Sequence, residues 1–354
     1  MKRPQSQTEH LFPEMVENPW RTCAAPETIR IRQSTGLTTL EVCAGAGGQA
    51  IGLEQAGFEH QGLVELNRHA CATLRLNRPE WTVIEQDLNS FNGADFKGVD
   101  LVSGGLPCPP FSVAGKQLGG KDERNLFPAL IRLVDQIRPR AVMIENVRGF
   151  LDAVFEDYRM FVKTELAKLG YQPGWKLMNA SDFGVPQLRP RVSFVAVRKD
   201  LAEHFSWPSP VERRPATVGE TLLDLMAANG WAGAKAWARS ADEIAPTVVG
   251  GSHKHGGPDL GPTRARRAWA TLGVDGLGLA NEAPGPDFPS GAMPRLTVRM
   301  AARLQGFPDE WVFAGGKTQS YRHVGNAFPP PFARAVAQQL ATCLTRPKLI
   351  RVAG

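Results

Sequence analysis

The chain has 354 residues, 42% hydrophobic and 21% charged, which excludes wholesale disorder and admits one large or two modest domains. No apolar run approaches the roughly 20 residues of a membrane span, the start MKRPQSQTEH has no apolar stretch behind its basic residues, and five cysteines without CxxC spacing argue against a disulfide framework or a zinc knuckle, so secreted, membrane and metal-bound classes are not expected. The formal charge of +6 is uneven: residues 1–205 are neutral, 206–294 carry −1 and 295–354 carry +7, a basic end that suits a polyanion but equally a merely solvated surface.

Residues 1–36 are polar and unpatterned. TTLEVC (38–43) then reads as a first strand, AGAGG as a tight turn, and a helix follows with Ile51, Leu53 and Ala56 inward, stopped by Gly57. HQGLVE (60–65), WTVI (81–84) and VDLVSG (99–104) read as further strands. Leu126, Leu130, Leu133, Val134 and Ile137 share one helical face, Pro139 blocks its continuation, and AVMIE (141–145) is a fifth strand. A helix near 156–169 presents Phe161, Val162, Leu166 and Leu169 and closes at Gly170, and RVSFVAV (191–197) is the last strand. This alternation predicts an α/β domain with a mostly parallel sheet over 37–205. Residues 206–294 hold 23 Gly or Pro in 89, about twice the usual share, so an irregular, loop-rich second domain is expected there. Trp231, Trp237, His253 and His255 argue against disorder in it. From Arg295 helix returns, with Phe332, Val336, Leu340 and Leu344 in a stripe, and residues 295–354 are expected to fold back onto the first domain.

Chemistry gathers at the strand ends. Ala44, Gly45, Gly47 and Gly48 form a strand-to-helix turn that lets a ligand approach backbone, but the spacing is not GxGxxG. Glu65 ends the second strand, where an acid can hold ribose hydroxyls, and Asp87 follows the third, within reach of an adenine amine. Each alone could be a turn glycine or a strand-end acid; together they point to a nucleoside without a required diphosphate, S-adenosylmethionine. Cys108 sits in GGLPCPPFS after the fourth strand, where Pro107, Pro109 and Pro110 restrict the loop; Cys71 and Cys343 sit in helical stretches and Cys23 in the tail. Cys108 is therefore the candidate nucleophile. Glu145 ends the neighbouring strand, where burial would make it a proton donor, with a helix-capping acid as the plain alternative. Arg189 and Arg191 have strand spacing and should face one side, suited to planar oxygens or to a surface ion pair.

In order, AGAGG, Glu65, Asp87, GGLPCPPFS, ENV, QLRPR, RLTVRMAARLQGFP (295–308) and GNAFPP (325–330) resemble the DNA cytosine-5 methyltransferases of bacterial restriction–modification systems. The likeness covers about 37–205 and 290–345. It implies a Rossmann-like S-adenosylmethionine-dependent fold with a small loop-rich target-recognition domain. It assigns Cys108 as nucleophile, Glu145 as the acid at cytosine nitrogen 3, and Arg191, supported by Arg189, near the base carbonyl. The cofactor would lie among Cys43, Ala44, Gly45, Gly47, Gly48, Glu65, Asp87, Leu88, Pro107, Leu126, Asn326 and Ala327, with Asn326 closing the site. Ser112, Lys116 and Gln117 follow the nucleophile, and His253, His255 and Arg264, with nearby tryptophans, are candidate readers within VGGSHKHGGPDLGPTRARR (249–267). The chain departs from the family at Cys43, for a phenylalanine, at Pro109 and His323, for glutamines, and at Phe328, for a valine. The implied partners are double-stranded DNA and a cognate restriction endonuclease, for a monomer in the bacterial cytoplasm. A transfer-RNA methyltransferase of the same fold and a silent DNA-binding protein are the rivals. No cysteine is followed by the Phe-Thr usual in the first, and intact Cys108, Glu145 and Arg191 oppose the second.

Overall fold

The structure is a computed structural model that describes residues 34–107, 125–250 and 257–345. Cys108, Ser112, Lys116, Gln117, His253 and His255 lie outside the described residues, as does nearly all of the polar N-terminal stretch. Seven strands, β1 (Leu37–Val42), β2 (Phe58–Glu65), β3 (Val83–Glu85), β4 (Leu101–Gly105), β5 (Ala141–Val147), β6 (Tyr171–Asn179) and β7 (Pro190–Arg198), form one sheet in the order β3-β2-β1-β4-β5-β7-β6. β1 to β5 run parallel, and β7 lies antiparallel between β5 and β6. The order reverses between β1 and β4, so a crevice opens at the carboxyl ends of those strands, where such sheets take their ligands.

The strand sequences explain the burial. LTTLEV and AVMIENV are covered on both sheet faces, as near-continuous apolar strands require. Helix α1 (Gly48–Gln55) follows the glycine turn, and α2 (Arg68–Asn77) starts where the Asn67 side chain accepts from the amides of His69 and Ala70. Helix α3 (Phe127–Ile137) buries all of its predicted face except Leu126, which precedes it half-buried, and ends on Arg138 at φ 55°; α4 (Glu156–Lys168) leads to β6. The sequence reading did not include β6: Gln172, Pro173 and Gly174 hide its alternation, and it is an edge strand. The expected strand 81–84 begins only at Val83; Trp81 lies ahead of β3, its ring tilted against His60 with centroids 4.6 Å apart.

Beyond the sheet come α5 (Val218–Ala227), α6 (Ala234–Ser240), α7 (Thr263–Ala270), α8 (Val298–Leu304), α9 (Lys317–Asn326) and α10 (Pro330–Thr345). The region 206–294 is thus not merely loops: it holds α5, α6 and α7 and, among the described residues, no named strand. Its apolar core continues through Leu296, Met300, Tyr321 and Val324 and reaches Ile51 and Leu74 of the sheet domain. The predicted stripe of α10 is buried, and α10 crosses α1 so closely that a Cβ on Gly52 would lie 2.6 Å from that of Ala333. α10 thus packs on the first helix of the sheet domain.

Candidate active site at the carboxyl edge of the sheet

The turn after β1 is built on left-handed backbone. Cys43, Gly45 and Gly47 have φ of 51°, 56° and 93°, conformations that favour glycine at two of the three positions. The Gly45 amide donates to Glu65 Oε2 at 2.7 Å, and the Asn67 amide donates to Oε1 at 2.7 Å. Glu65 is thereby fixed at the end of β2, with lone pairs left for ribose hydroxyls. A Cβ on Gly45 would meet nothing within 4 Å, so the turn opens onto free space. Exposed Asp87 accepts from the Asn89 amide at 2.9 Å, and Cys43, Leu88 and Leu126 belong to one apolar cluster beneath this edge. Those groups fit a nucleoside: an acid for the ribose, a second acid beyond it, and an apolar floor. Half-buried Pro107 closes the described part of the β4 end. Arg132 of α3, which sequence reasoning missed, holds the Asp87 loop by donating to the carbonyls of Leu88, Asn89 and Phe91 at 2.8–3.2 Å.

The acid lies one strand away. Glu145 pairs in register with Gly105 of β4 and Ser193 of β7, and a Cβ on Gly105 would be 3.7 Å from Glu145 Oε2 and 4.0 Å from the Cys43 carbonyl. Gly105 thus leaves room where the acid and the cofactor edge converge. The Glu145 carboxyl is buried, and burial raises its pKa above the ordinary carboxylate value, while Arg191 and then Arg189 pull it back. Arg191 Nε is 2.7 Å from Glu145 Oε1, an ion pair almost shielded from solvent.

The two arginines do not share a task. Arg189 is fully buried just ahead of β7 and donates to the carbonyls of Val248 at 2.8 Å, Gly325 at 2.7 Å and Ala327 at 2.9 Å. A guanidinium so engaged with two backbone segments, at Val248 and at Gly325 to Ala327, is a tie between them, beside the pull of its charge on the Glu145 carboxyl. Gln187 does the same beside it: Nε2 donates to the Leu304 carbonyl and to Gln305 Oε1, and Oε1 accepts from the Val248 amide. Asn326 ends α9 beside Gly250. It is exposed, and a Cβ on Gly250 would lie 2.7 Å from its Oδ1; the neighbour Ala327 reaches the glycine turn, 3.0 Å from a Cβ on Gly48. Arg264 is exposed on the first turn of α7, but Trp237 and Trp269 are core residues, so neither can read a base edge. His323 is held neutral, its pKa lowered to about 4 by burial and by His69 and Arg322.

A sheet of this order, with an open glycine turn and two acids at its carboxyl edge, one of them buried, has the plan of an α/β nucleoside-cofactor methyltransferase. The chain matches the C-5 cytosine-specific DNA methylases over residues 37–342 and belongs to that family. It is therefore a DNA methyltransferase acting on carbon 5 of cytosine, with S-adenosylmethionine as cofactor. It is 54% identical over 312 residues to the Type II methyltransferase M.NaeI of Lentzea aerocolonigenes, spanning 87% of this chain and 75% of that one. It is 52% identical over 313 residues to the Type II methyltransferase M.NgoMIV of Neisseria gonorrhoeae, spanning 88% and 99%. Its fold is shared by a crystal structure of a prophage-encoded DNA modification methyltransferase from E. coli, with a TM-score of 0.62 and 23% identity over 88% of this chain and all of that one. No helix among the described residues is long and apolar enough to cross a membrane.

Proposed function

We propose that the chain methylates one cytosine within a short double-stranded DNA sequence, with Cys108 as nucleophile and Glu145 as general acid on a base flipped out of the stack. The observation that carries the reading is the Glu145 carboxyl, buried against Gly105 at the strand end three residues before Cys108 and paired with Arg191. Carbon 5 of cytosine is a weak nucleophile, and thiolate addition at carbon 6 with protonation at nitrogen 3 turns the ring into an enamine. A raised pKa keeps a share of Glu145 protonated, so it can give that proton, and Arg191 stabilises the carboxylate left behind. Bound S-adenosylmethionine supplies the electrophilic methyl group. Loss of the carbon 5 proton and elimination of the thiol then restore the aromatic ring. The target atoms are inaccessible inside a duplex, so the base must leave the stack.

Glu65, Asp87 and the glycine turn would hold the cofactor, and the segment 249–267, with Arg264 exposed on it, would face the major groove. The protein would act as a monomer and protect host DNA from a cognate restriction endonuclease, a reading supported by its two Type II relatives. Expression in a methylation-free bacterial host followed by bisulfite sequencing tests this. Methylation at one short motif, abolished by Cys108→Ala, is expected. A blank genome from the intact chain would reject DNA as the substrate and direct the assay to transfer RNA. Unchanged methylation in the variant would remove Cys108 from the mechanism.

A further inference from the structure

The glycine turn is held from behind by a residue more than 260 positions away. Trp311 is 1% exposed, and its indole Nε1 donates to the Ala46 carbonyl at 3.0 Å. Its ring lies against Gly47, where a Cβ would be 2.6 Å from Cζ2. Because a peptide unit is planar and trans, its C=O and N–H point in opposite directions. Holding the Ala46 carbonyl toward Trp311 leaves the Gly47 amide on the other side, where it closes the turn onto the Ala44 carbonyl at 3.3 Å. Gly45 and Gly47, free to adopt many conformations on their own, are thereby fixed in one.

The segment carrying Trp311 is strapped to α2. Asn77 donates to the Val312 carbonyl at 2.7 Å and accepts from the Val312 amide at 2.8 Å, and Thr73 Oγ1 accepts from the Ala314 amide at 2.9 Å. Arg299 of α8 donates to the Trp311 carbonyl at 3.0 Å, and the Arg78 guanidinium lies 5.4 Å from the indole centroid while gripping Glu54 of α1 with two bonds of 2.9 Å. The indole therefore cannot drift from the turn without breaking several other contacts.

We infer that Trp311 is a positioning residue for the cofactor: its N–H and ring set the glycine turn in the shape that receives S-adenosylmethionine. The inference rests on the reading of that turn as the cofactor site. Trp311→Phe keeps one aromatic ring but removes the N–H donor and trims the edge of the indole that lies against Gly47. Its dissociation constant for S-adenosylmethionine, measured by calorimetry on the full chain, should rise about tenfold, the scale of one buried hydrogen bond. kcat at saturating cofactor should stay within about twofold, because the turn does not touch cytosine.

Trp269→Phe supplies the control. Trp269 is a buried tryptophan of the same apolar cluster whose Nε1 has no hydrogen-bond partner among the described residues, so the same chemical change there should leave cofactor affinity unaltered. Asn77→Ala loosens the strap without touching the indole, should raise the constant about threefold, and decides the matter if Trp311→Phe does not fold. Wild-type protein that fails to bind S-adenosylmethionine would refute the reading of the site itself. Wild-type binding with unchanged affinity in Trp311→Phe, or in Asn77→Ala where that is the folded variant, would overturn the inference alone. An equal loss in Trp269→Phe would overturn it too, by showing only general destabilisation.

Discussion

The strand ends and the region 206–294 are organised by different means. At the strand ends, backbone register places the chemistry: Glu145 stands opposite Gly105 and Arg191 opposite Val147 because β5 pairs with β4 and β7. In 206–294 no strand among the described residues sets such a register, and position is fixed by side chains that bind backbone. Arg189 and Gln187 reach into Val248 from outside, Trp237 Nε1 donates to the Gly273 carbonyl at 3.1 Å, and Gly219 lets α5 press on the Ala238 carbonyl of α6. The contrast teaches that the reaction edge is specified by pleat and pairing, which tolerate little change. The region 206–294 hangs instead on a few tie points between side chains and backbone.

Glu145→Gln should give the largest effect on the reaction edge. kcat is expected to fall about 10²- to 10⁴-fold, with cofactor affinity and melting temperature little altered. Single-turnover methylation of a DNA duplex measures it, and a loss below about tenfold would mean that register alone did not make Glu145 the acid. Arg189→Ala attacks the tie points instead. Three buried carbonyls lose one donor, and urea denaturation should show a loss of about 3–5 kcal/mol. If stability survives while chemistry fails, Arg189 belongs to the reaction edge after all.

His60, beneath α1, sharpens the comparison from the sheet side. Burial lowers its pKa from 6.5 to about 4, with Nε2 against the Ala50 carbonyl at 3.1 Å. Between those values the unfolded chain takes a proton that the folded chain refuses, so stability present above pH 6.5 is lost as pH falls through 4. The fall should reach about 3 kcal/mol, and His60→Gln should remove it, leaving the same-signed dependence from His323. A profile unchanged by the substitution would show that His60 is not buried in its neutral form. The smallest effect is expected at the seam. A Cβ on Gly325 would fall 2.3 Å from the Gly250 nitrogen, so Gly325→Ala should cost about 1–3 kcal/mol and relax the methylated motif in deep bisulfite sequencing. An unrelaxed motif would show that sequence choice does not depend on this contact.

The reaction edge was largely legible in the sequence because its signals are local. A glycine turn after an apolar strand and acids at strand ends each declare themselves within a few residues. The tie points were not legible. Arg189 and Arg191 have the same spacing and look equivalent, and only the partners of Arg189, 59 to 138 residues away in the chain, separate their tasks. Trp237 lies in a glycine-rich stretch, and the short helix that carries it and buries its ring is flanked by turns, so its place in the core left little trace in the sequence. β6 was lost to a Pro-Gly pair within an edge strand. Distance along the chain, rather than subtlety of chemistry, hid what was missed.

The reach of Trp311 to Ala46 across 265 positions also has a meaning in time. A ribosome adds about 5–20 residues per second, so roughly 13–53 s separate the synthesis of the turn from that of the residue that sets its shape. For that interval β1 and α1 exist without Trp311 behind the turn, without Ala327 on Gly48 and without α10 across Gly52. Until the last sixth of the protein has been made, the turn lacks the residues that hold its shape.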